Sequence, residues 1–171
     1  MKRSKLPPQN PAAGRRIAGH AQQDHILDPY ERQRKPREGT RCPQCGVFFK
    51  EGRWQWAPSP EAAHEELCPA CRRINDKFPA GIVTLKGAFA RAHRDEMIRV
   101  ARNQEEAEKG EHPLNRIMGI EQSEDGAVIT TTDIHLPRRI GETLERSFHG
   151  ALEIAFEEDG YFVRVDWTRE A

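Results

Sequence analysis

The chain has 171 residues, of which 32% are charged and 36% hydrophobic, and its formal net charge is zero. This length suffices for one ordinary domain or two small ones, and the modest apolar content limits a core to part of the chain. No apolar run approaches the roughly 20 residues that a membrane span needs. The basic N-terminus lacks the apolar stretch of a secretory signal. We therefore expect a cytoplasmic protein without a membrane segment.

Charge is unevenly distributed along the chain. Residues 1–41 carry ten Lys and Arg against four Asp and Glu, hence a net charge of +6, which leaves −6 for the remainder. Residues 1–40 are also rich in Pro, Gly, Gln and Arg and poor in large apolar residues, so they bury too little surface to offset the entropy of ordering. The pattern predicts a disordered basic arm over 1–40, of the kind that serves as an interaction tail.

Two cysteine pairs follow the arm, Cys42 and Cys45 in CPQCG, and Cys68 and Cys71 in CPAC. Each CxxC pair brings two thiolates to one metal ion from a tight turn, and two pairs supply the four soft ligands of a tetrahedral Zn²⁺ site. Doubled pairs without an export signal favour metal over disulfides or redox-active cysteines. We predict a four-cysteine zinc module over 41–80, whose Zn²⁺ is structural because four cysteines leave no open position.

The 22 residues between Cys45 and Cys68 can form a hairpin rich in aromatic side chains. Two interpretations of Trp54 and Trp56 stay open. They pack the small module or dock it on the rest of the chain, or they stack on bases while neighbouring cations contact phosphates. The candidate RNA- or partner-binding residues are Lys50, Arg53, Trp54, Trp56, Arg72, Arg73, Arg138 and Arg139.

An α+β domain is predicted over residues 81–171. Residues 81–85, GIVTL, read as a short strand. A helix fits residues 86–109, because apolar side chains recur there at helical spacing. His93 falls on this apolar stripe, so we interpret it as a core histidine rather than a ligand.

Two hairpins and a second helix complete the expected domain. NRIMGIEQ and AVITTT read as strands joined by a turn at 123–126, and residues 152–167 alternate as a second hairpin. Between them Ile140, Leu144 and Phe148 form the buried stripe of a helix. The order α-β-β-α-β-β indicates a mainly antiparallel sheet. The predicted fold class is therefore α+β, with a zinc-ribbon or treble-clef-like module ahead of this domain.

The turn over residues 132–139 collects hydroxyl, carboxylate, imidazole and guanidinium groups. A strand end that leads into a helix N-terminus can bind an anion through its free amides. Thr132 and Asp133 also simply cap helices, which is the favoured interpretation. An enzyme built on this turn would need a pocket around His135 and Arg139.

Several long segments resemble a bacterial family of small zinc-ribbon proteins of uncharacterised role. The similarity covers about residues 41–168 and rests on CPQCG, GRWQW, CPACRRI, EHPLNRIMGIE, TTTDIHLPRRIGE and VRVDW. The cysteine pattern is also similar, more weakly, to the N-terminal zinc-binding part of the ribosomal large-subunit export adaptors of archaea and eukaryotes. This second resemblance implies a ribosome or RNA partner and carries over only the four cysteines.

Two functions follow as expectations. The first is a non-catalytic zinc-ribbon adaptor that binds RNA or the ribosome through the basic arm and the zinc module. The alternative is a zinc-stabilised module for protein interaction or regulation that binds no nucleic acid. A P-loop, a dinucleotide fingerprint and a Ser-His-Asp spacing are missing from the sequence, so no small-molecule substrate is evident.

Overall fold

The computed structural model describes residues 28–32, 35–56, 64–157 and 160–171. Its helices are α1 (Pro29–Arg32), α2 (Pro69–Asp76), α3 (Ala88–Ala92), α4 (Arg94–Lys109) and α5 (His135–Phe148). Its strands are β1 (Thr40–Arg41), β2 (Phe48–Lys50), β3 (Arg53–Gln55), β4 (His64–Glu65), β5 (Gly81–Lys86), β6 (Ile117–Ser123), β7 (Gly126–Thr131), β8 (Ala151–Phe156) and β9 (Val163–Thr168). The strands form two sheets, which confirms a mixed α+β protein.

The smaller sheet has the strand order β3-β2-β1-β4, with β4 parallel to β1 and the other neighbours antiparallel. Its β2–β3 hairpin turns at Glu51 and Gly52, both with positive φ, and the Glu38 carboxylate accepts a hydrogen bond from each turn amide at 2.9 Å. Phe49 and Trp54 are cross-strand partners, and their rings meet edge to face with centroids 5.4 Å apart. These two rings belong to the small core that contains the cysteines. We call the smaller sheet together with α2 and the four cysteines the cysteine module, and we call residues 81–171 the larger domain.

The larger sheet has the order β6-β7-β5-β9-β8, in which only β5 and β9 run parallel. The mainly antiparallel sheet is as expected. Ile140 and Leu144 of α5 are fully buried, which confirms the predicted stripe. A Cβ at Gly141 would come within 2.9 Å of side-chain atoms of Val165 and Leu152, so this glycine allows the helix to approach the sheet closely.

The single helix predicted over residues 86–109 is wrong, because the chain breaks at His93 into α3 and α4. The two helices contact different parts of the domain. In α3 the Phe89 amide donates to the O atom of Arg169, just after the last strand, whereas α4 packs on α5. The core interpretation of His93 is also wrong. Its ring is exposed, stacks on Phe89 with centroids 4.1 Å apart, and places Nδ1 3.1 Å from a carboxylate oxygen of Glu96.

Most of the predicted arm, residues 1–27, 33 and 34, lies outside the described residues. Its described end, by contrast, packs on the cysteine module. The buried Arg73 guanidinium donates to Asp28 Oδ1 at 2.6 Å and lies 4.3 Å from the centre of the Tyr30 ring. The Tyr30 hydroxyl donates to Asp76 at 2.9 Å. Across the described ranges, none of the helices combines the length and apolarity required to cross a membrane.

Candidate metal centre

The first cysteine pair lies in a turn between β1 and β2. The Cys42 amide donates to Val47 O, and the Gly46 amide donates back to Cys42 O, both at 2.9 Å. Gly46 has φ +85, a left-handed conformation that costs glycine little, as its place after the pair suggests. The turn therefore presents the Cys42 and Cys45 side chains to the same side.

The second pair belongs to the first turn of α2. Cys68 is the N-cap, and its Sγ accepts a hydrogen bond from the Cys71 amide at 3.3 Å. Pro69 at the start of the helix has no amide hydrogen that would need a partner there. A sulfur that carries negative charge is favoured at this position, because the amides at a helix N-terminus point toward it.

The four sulfur atoms of Cys42, Cys45, Cys68 and Cys71 all lie within 4.8 Å of one another. The Cys45 and Cys68 sulfurs are 3.7 Å apart. A tetrahedral Zn²⁺ with bonds of about 2.3 Å separates its sulfur ligands by about 3.8 Å, so the cluster has the dimensions of such a site. Cys42, Cys68 and Cys71 are buried and Cys45 is half-buried, and all four are free cysteines. The cluster could thus hold a metal ion.

Arg116, which precedes β6 in the larger domain, reaches into this cluster. Its Nη2 lies 3.1 Å from Cys45 Sγ and 3.9 Å from Cys68 Sγ, and its Nη1 lies 3.4 Å from Cys71 Sγ. These bonds and the charge of the sulfurs raise the pKa of Arg116, although burial opposes the change. The guanidinium is therefore a permanent positive charge beside the thiols.

The thiols share their protons unequally. The hydrogen bond with Cys68 lowers the pKa of Cys45 to about 4, and the Val47 amide and Arg116 act in the same direction. The same bond with Cys45, together with burial, raises the pKa of Cys68, and burial raises the pKa of Cys71 to about 11. A metal ion would displace the remaining protons, since a thiolate is the form that binds metal.

Sequence reasoning missed Arg116 because no local pattern distinguishes it. Thr132 fixes its backbone: the Arg116 amide donates to Thr132 Oγ1, and the Thr132 amide donates to Arg116 O, both at 2.9 Å. Arg116 and Cys71 are 45 residues apart in the sequence, and the tertiary fold brings them into contact.

Trp54 belongs to the core of the cysteine module, with 9% of its surface exposed, so the base-stacking interpretation is wrong for this residue. Trp56 is 39% exposed and instead bridges the two parts of the chain. Its Nε1 donates to Lys109 O at 2.7 Å, and the Arg116 guanidinium lies 5.6 Å from its ring centre. This is the docking role that the sequence left open.

The candidate cations fall into two groups. Arg72 forms an ion pair with Glu66 at 2.6 Å, and Arg73 is buried against Asp28, so Arg73 cannot contact a phosphate as the sequence suggested. Arg138 lies 4.0 Å from Glu142, and Arg139 lies 2.7 Å from the buried Glu108, both pairs on the larger domain. Lys50 and Arg53 are exposed cross-strand partners on the β2–β3 hairpin.

The turn before α5 is a capping structure. Asp133 Oδ2 accepts hydrogen bonds from the His135 and Leu136 amides at 2.8 and 3.0 Å, which confirms the capping interpretation for Asp133. The Thr132 hydroxyl donates to Leu114 O instead. Burial raises the pKa of Asp133 to about 7, and the charge of Glu108 adds to this effect. The amides that would bind an anion are therefore occupied by the protein's own carboxyl group.

A cavity of about 740 Å³ lies elsewhere, where the cysteine module meets the loop before β6. Trp54, Leu67 and Leu114 contribute apolar walls. The charged lining residues are of both signs: Lys35, Arg53 and Arg72 are positive, and Glu31, Glu66 and Glu111 are negative. Neither His135 nor Arg139 lines it, so it is not the pocket that an enzyme built on the 132–139 turn would need.

Fold and site together define a mixed α+β protein with a four-cysteine cluster suited to a metal ion. Comparison of the chain with protein-family models, with curated proteins and with solved structures finds no match. The resemblances to bacterial small zinc-ribbon proteins and to ribosomal export adaptors therefore stay expectations.

Proposed function

We propose that this chain is a non-catalytic adaptor whose cysteine module is organised by a structural Zn²⁺ ion. The carrying observation is the cluster of four sulfurs within 4.8 Å. Four thiolates complete the coordination of Zn²⁺ and leave no position for water or a substrate. One pair in a strand turn and the other at a helix N-terminus fit a zinc-ribbon or treble-clef-like module.

The partner we propose is RNA, free or in the ribosome, bound at the hairpin of the cysteine module. Lys50 and Arg53 support this, because they are exposed at the end of the hairpin and lie directly opposite each other across the strands. The Lys35 ammonium group approaches the turn at Gly52 and adds a third positive charge, against the two negative charges of Glu38 and Glu51 at the same turn. Residues 81–171 carry twelve Lys and Arg against eighteen Asp and Glu, so this part of the chain disfavours phosphate contact.

The test is RNA binding by a charge-reversed hairpin, Lys50→Glu with Arg53→Glu. A labelled single-stranded RNA is titrated by fluorescence anisotropy at two salt concentrations, and sedimentation with ribosomes is measured in parallel. We expect weaker binding and a salt slope smaller by about 0.7 for each phosphate that the hairpin no longer neutralises. Arg99→Glu with Arg102→Glu, at exposed positions of α4, makes the same charge change and is the matched control. Wild-type protein without RNA affinity at low salt would refute the RNA partner.

The second candidate is a zinc-stabilised module for protein interaction or regulation. One observation favours it: Trp54, Arg72 and Arg73, three of the residues expected to contact RNA, are engaged in internal contacts. Association with a purified protein partner that persists at high salt, together with no ribosome sedimentation at low salt, would support this candidate.

A further inference from the structure

We propose that Arg116 is a positioning residue of the metal centre and links metal loading to the docking of the larger domain on the cysteine module. This inference rests on the metal-binding part of the proposed function and not on the identity of the partner. All the metal ligands would be cysteines, and Arg116 would act on them from outside the coordination sphere. In the sequence, Arg116 is 45 residues from Cys71, the nearest of the cysteines that it contacts.

The guanidinium is held in a fixed orientation. Nε donates to Pro113 O at 2.8 Å, which turns the two Nη atoms toward the sulfurs. The centre of the Trp56 ring lies 5.6 Å from the guanidinium carbon. Within the described residues, the hydrogen bonds of this guanidinium go to three sulfurs and one carbonyl oxygen, with no carboxylate among them. The sulfurs are thus its counter-charge.

A loaded cluster supplies a larger counter-charge than an empty one. Four thiolates around a divalent ion carry a formal charge of −2, and Arg116 reduces this to −1 in a partly buried place where such charges are costly. Hydrogen bonds to metal ligands from outside the coordination sphere typically change metal affinity by about 10- to 100-fold. The same interaction must stabilise the metal and the docked arrangement by an equal factor.

Other contacts between the larger domain and the cysteine module indicate which residues should respond to loss of the metal. Trp56 donates to Lys109 O at the end of α4, and Leu114 packs against the buried residues around the cysteines. Lys109 and Leu114 both lie within seven residues of Arg116 in the sequence. Loss of the metal should therefore loosen residues 109–117 while the central strands β5, β7 and β9 stay protected.

The first experiment measures zinc release from Arg116→Gln into a chromophoric chelator. We expect release about 10-fold or more faster than from wild type, with Arg116→Lys in between because it keeps the charge but loses the two-pronged geometry. Arg94→Gln is the matched control, since Arg94 donates to Ser123 O and Gln122 at the far end of β6. Equal release from Arg116→Gln and wild type would overturn the inference.

A spectroscopic readout separates a direct effect on the sulfurs from a general loosening. In Co²⁺-substituted protein, removal of the positive charge and its hydrogen bonds raises the energy of the sulfur lone pairs. The sulfur-to-cobalt charge-transfer bands of Arg116→Gln should therefore move to longer wavelength, and those of Arg94→Gln should not. Identical bands in wild type and Arg116→Gln would count against contact with the ligands.

The third arm uses wild-type protein alone and so does not depend on a variant that folds. Hydrogen exchange is compared between zinc-loaded protein and protein treated with chelator. Faster exchange over residues 109–117, with β5 and β9 unchanged, supports the linkage, and unchanged exchange there overturns it. A wild type that holds no zinc would defeat the proposed function as well, whereas tight zinc binding with no response at 109–117 would defeat the linkage alone.

Discussion

Arg116 Nη2 lies 3.1 Å from Cys45 Sγ, so a cation from the larger domain contacts a cluster whose four sulfurs all come from the cysteine module. A metal ion in this cluster would stabilise the contact between the larger domain and the cysteine module as well as the cysteine module itself. Its loss should affect both parts of the chain, though not equally, because the larger domain has its own core of buried residues on β5, β7, β9 and α5.

Replacement of Cys42 by serine should release the metal and unfold the cysteine module. Cys42 is fully buried, and a serine there offers Zn²⁺ a poor ligand in a site that needs four thiolates. Metal analysis should give well under one equivalent of zinc, and hydrogen exchange should rise in α2 and the β2–β3 hairpin. A Cys42→Ser protein with a full equivalent of zinc and unchanged exchange would contradict a structural role for the metal.

The two tryptophans of the hairpin should differ in their effect on stability. Trp54→Ala removes a buried ring that packs against Phe49, and such a change typically costs about 3–5 kcal/mol of the free energy of unfolding. Trp56→Phe keeps a ring and loses only the hydrogen bond to Lys109 O, worth about 1 kcal/mol. Urea denaturation of both variants, with zinc in excess, measures the difference. Equal losses would mean that Trp56 carries more of the packing than its exposure implies.

Arg73 should matter for stability and not for RNA. Arg73→Met leaves the buried Asp28 carboxylate without its guanidinium, and breaking a buried pair in this way typically costs about 3–5 kcal/mol. The double variant with Asp28→Asn should recover part of the loss, since it removes the unpaired charge. Denaturation curves of the single and double variants test this, and RNA affinity per folded molecule should equal that of wild type. Weaker RNA binding by a fully folded Arg73→Met would restore the phosphate-contact interpretation.

Most of the features of the fold and the cysteine cluster that could be predicted depend on short-range patterns in the sequence. The CxxC spacing requires two tight turns, and the structure brings all four sulfurs together. Alternation along residues 152–156 and 163–167 matches β8 and β9, in which Leu152, Ile154, Val163, Val165 and Trp167 are buried. Such features are visible in sequence because each depends on neighbours only a few residues away.

Long-range pairings could not be predicted. Arg73 looks like any surface arginine until Asp28, 45 residues earlier, folds onto it. His93 matches the apolar stripe of a continuous helix, yet the chain breaks at this residue and its imidazole is exposed. Arg116 contacts sulfurs at least 45 residues away in the sequence, and Thr132 and Pro113 hold it in place. Which charges pair is decided by tertiary structure, and a single sequence does not record it.

Asp133 should make the stability of the protein fall as pH rises toward neutrality. Its carboxyl group is buried near Glu108 and Tyr161, and its pKa is raised from 3.8 to about 7, mainly by burial. The unfolded chain therefore loses this proton near pH 4, whereas the folded chain keeps it until about pH 7. The protonated carboxyl group therefore contributes its full stabilisation only below about pH 4, and this contribution is lost by about pH 7. The free energy of unfolding decreases between these two pH values.

Asp133→Asn removes the ionisation and keeps an oxygen that can accept from the His135 and Leu136 amides. Urea denaturation between about pH 5.5 and 8, with zinc in excess, should show a smaller decline in the free energy of unfolding for this variant than for wild type. Asp95→Asn, at an exposed position of α4, is the control and should follow wild type. The Glu108–Arg139 ion pair, which faces the same region, stays intact in both variants. Parallel curves for Asp133→Asn and wild type would show that this carboxyl group ionises in the folded protein as it does in the unfolded chain.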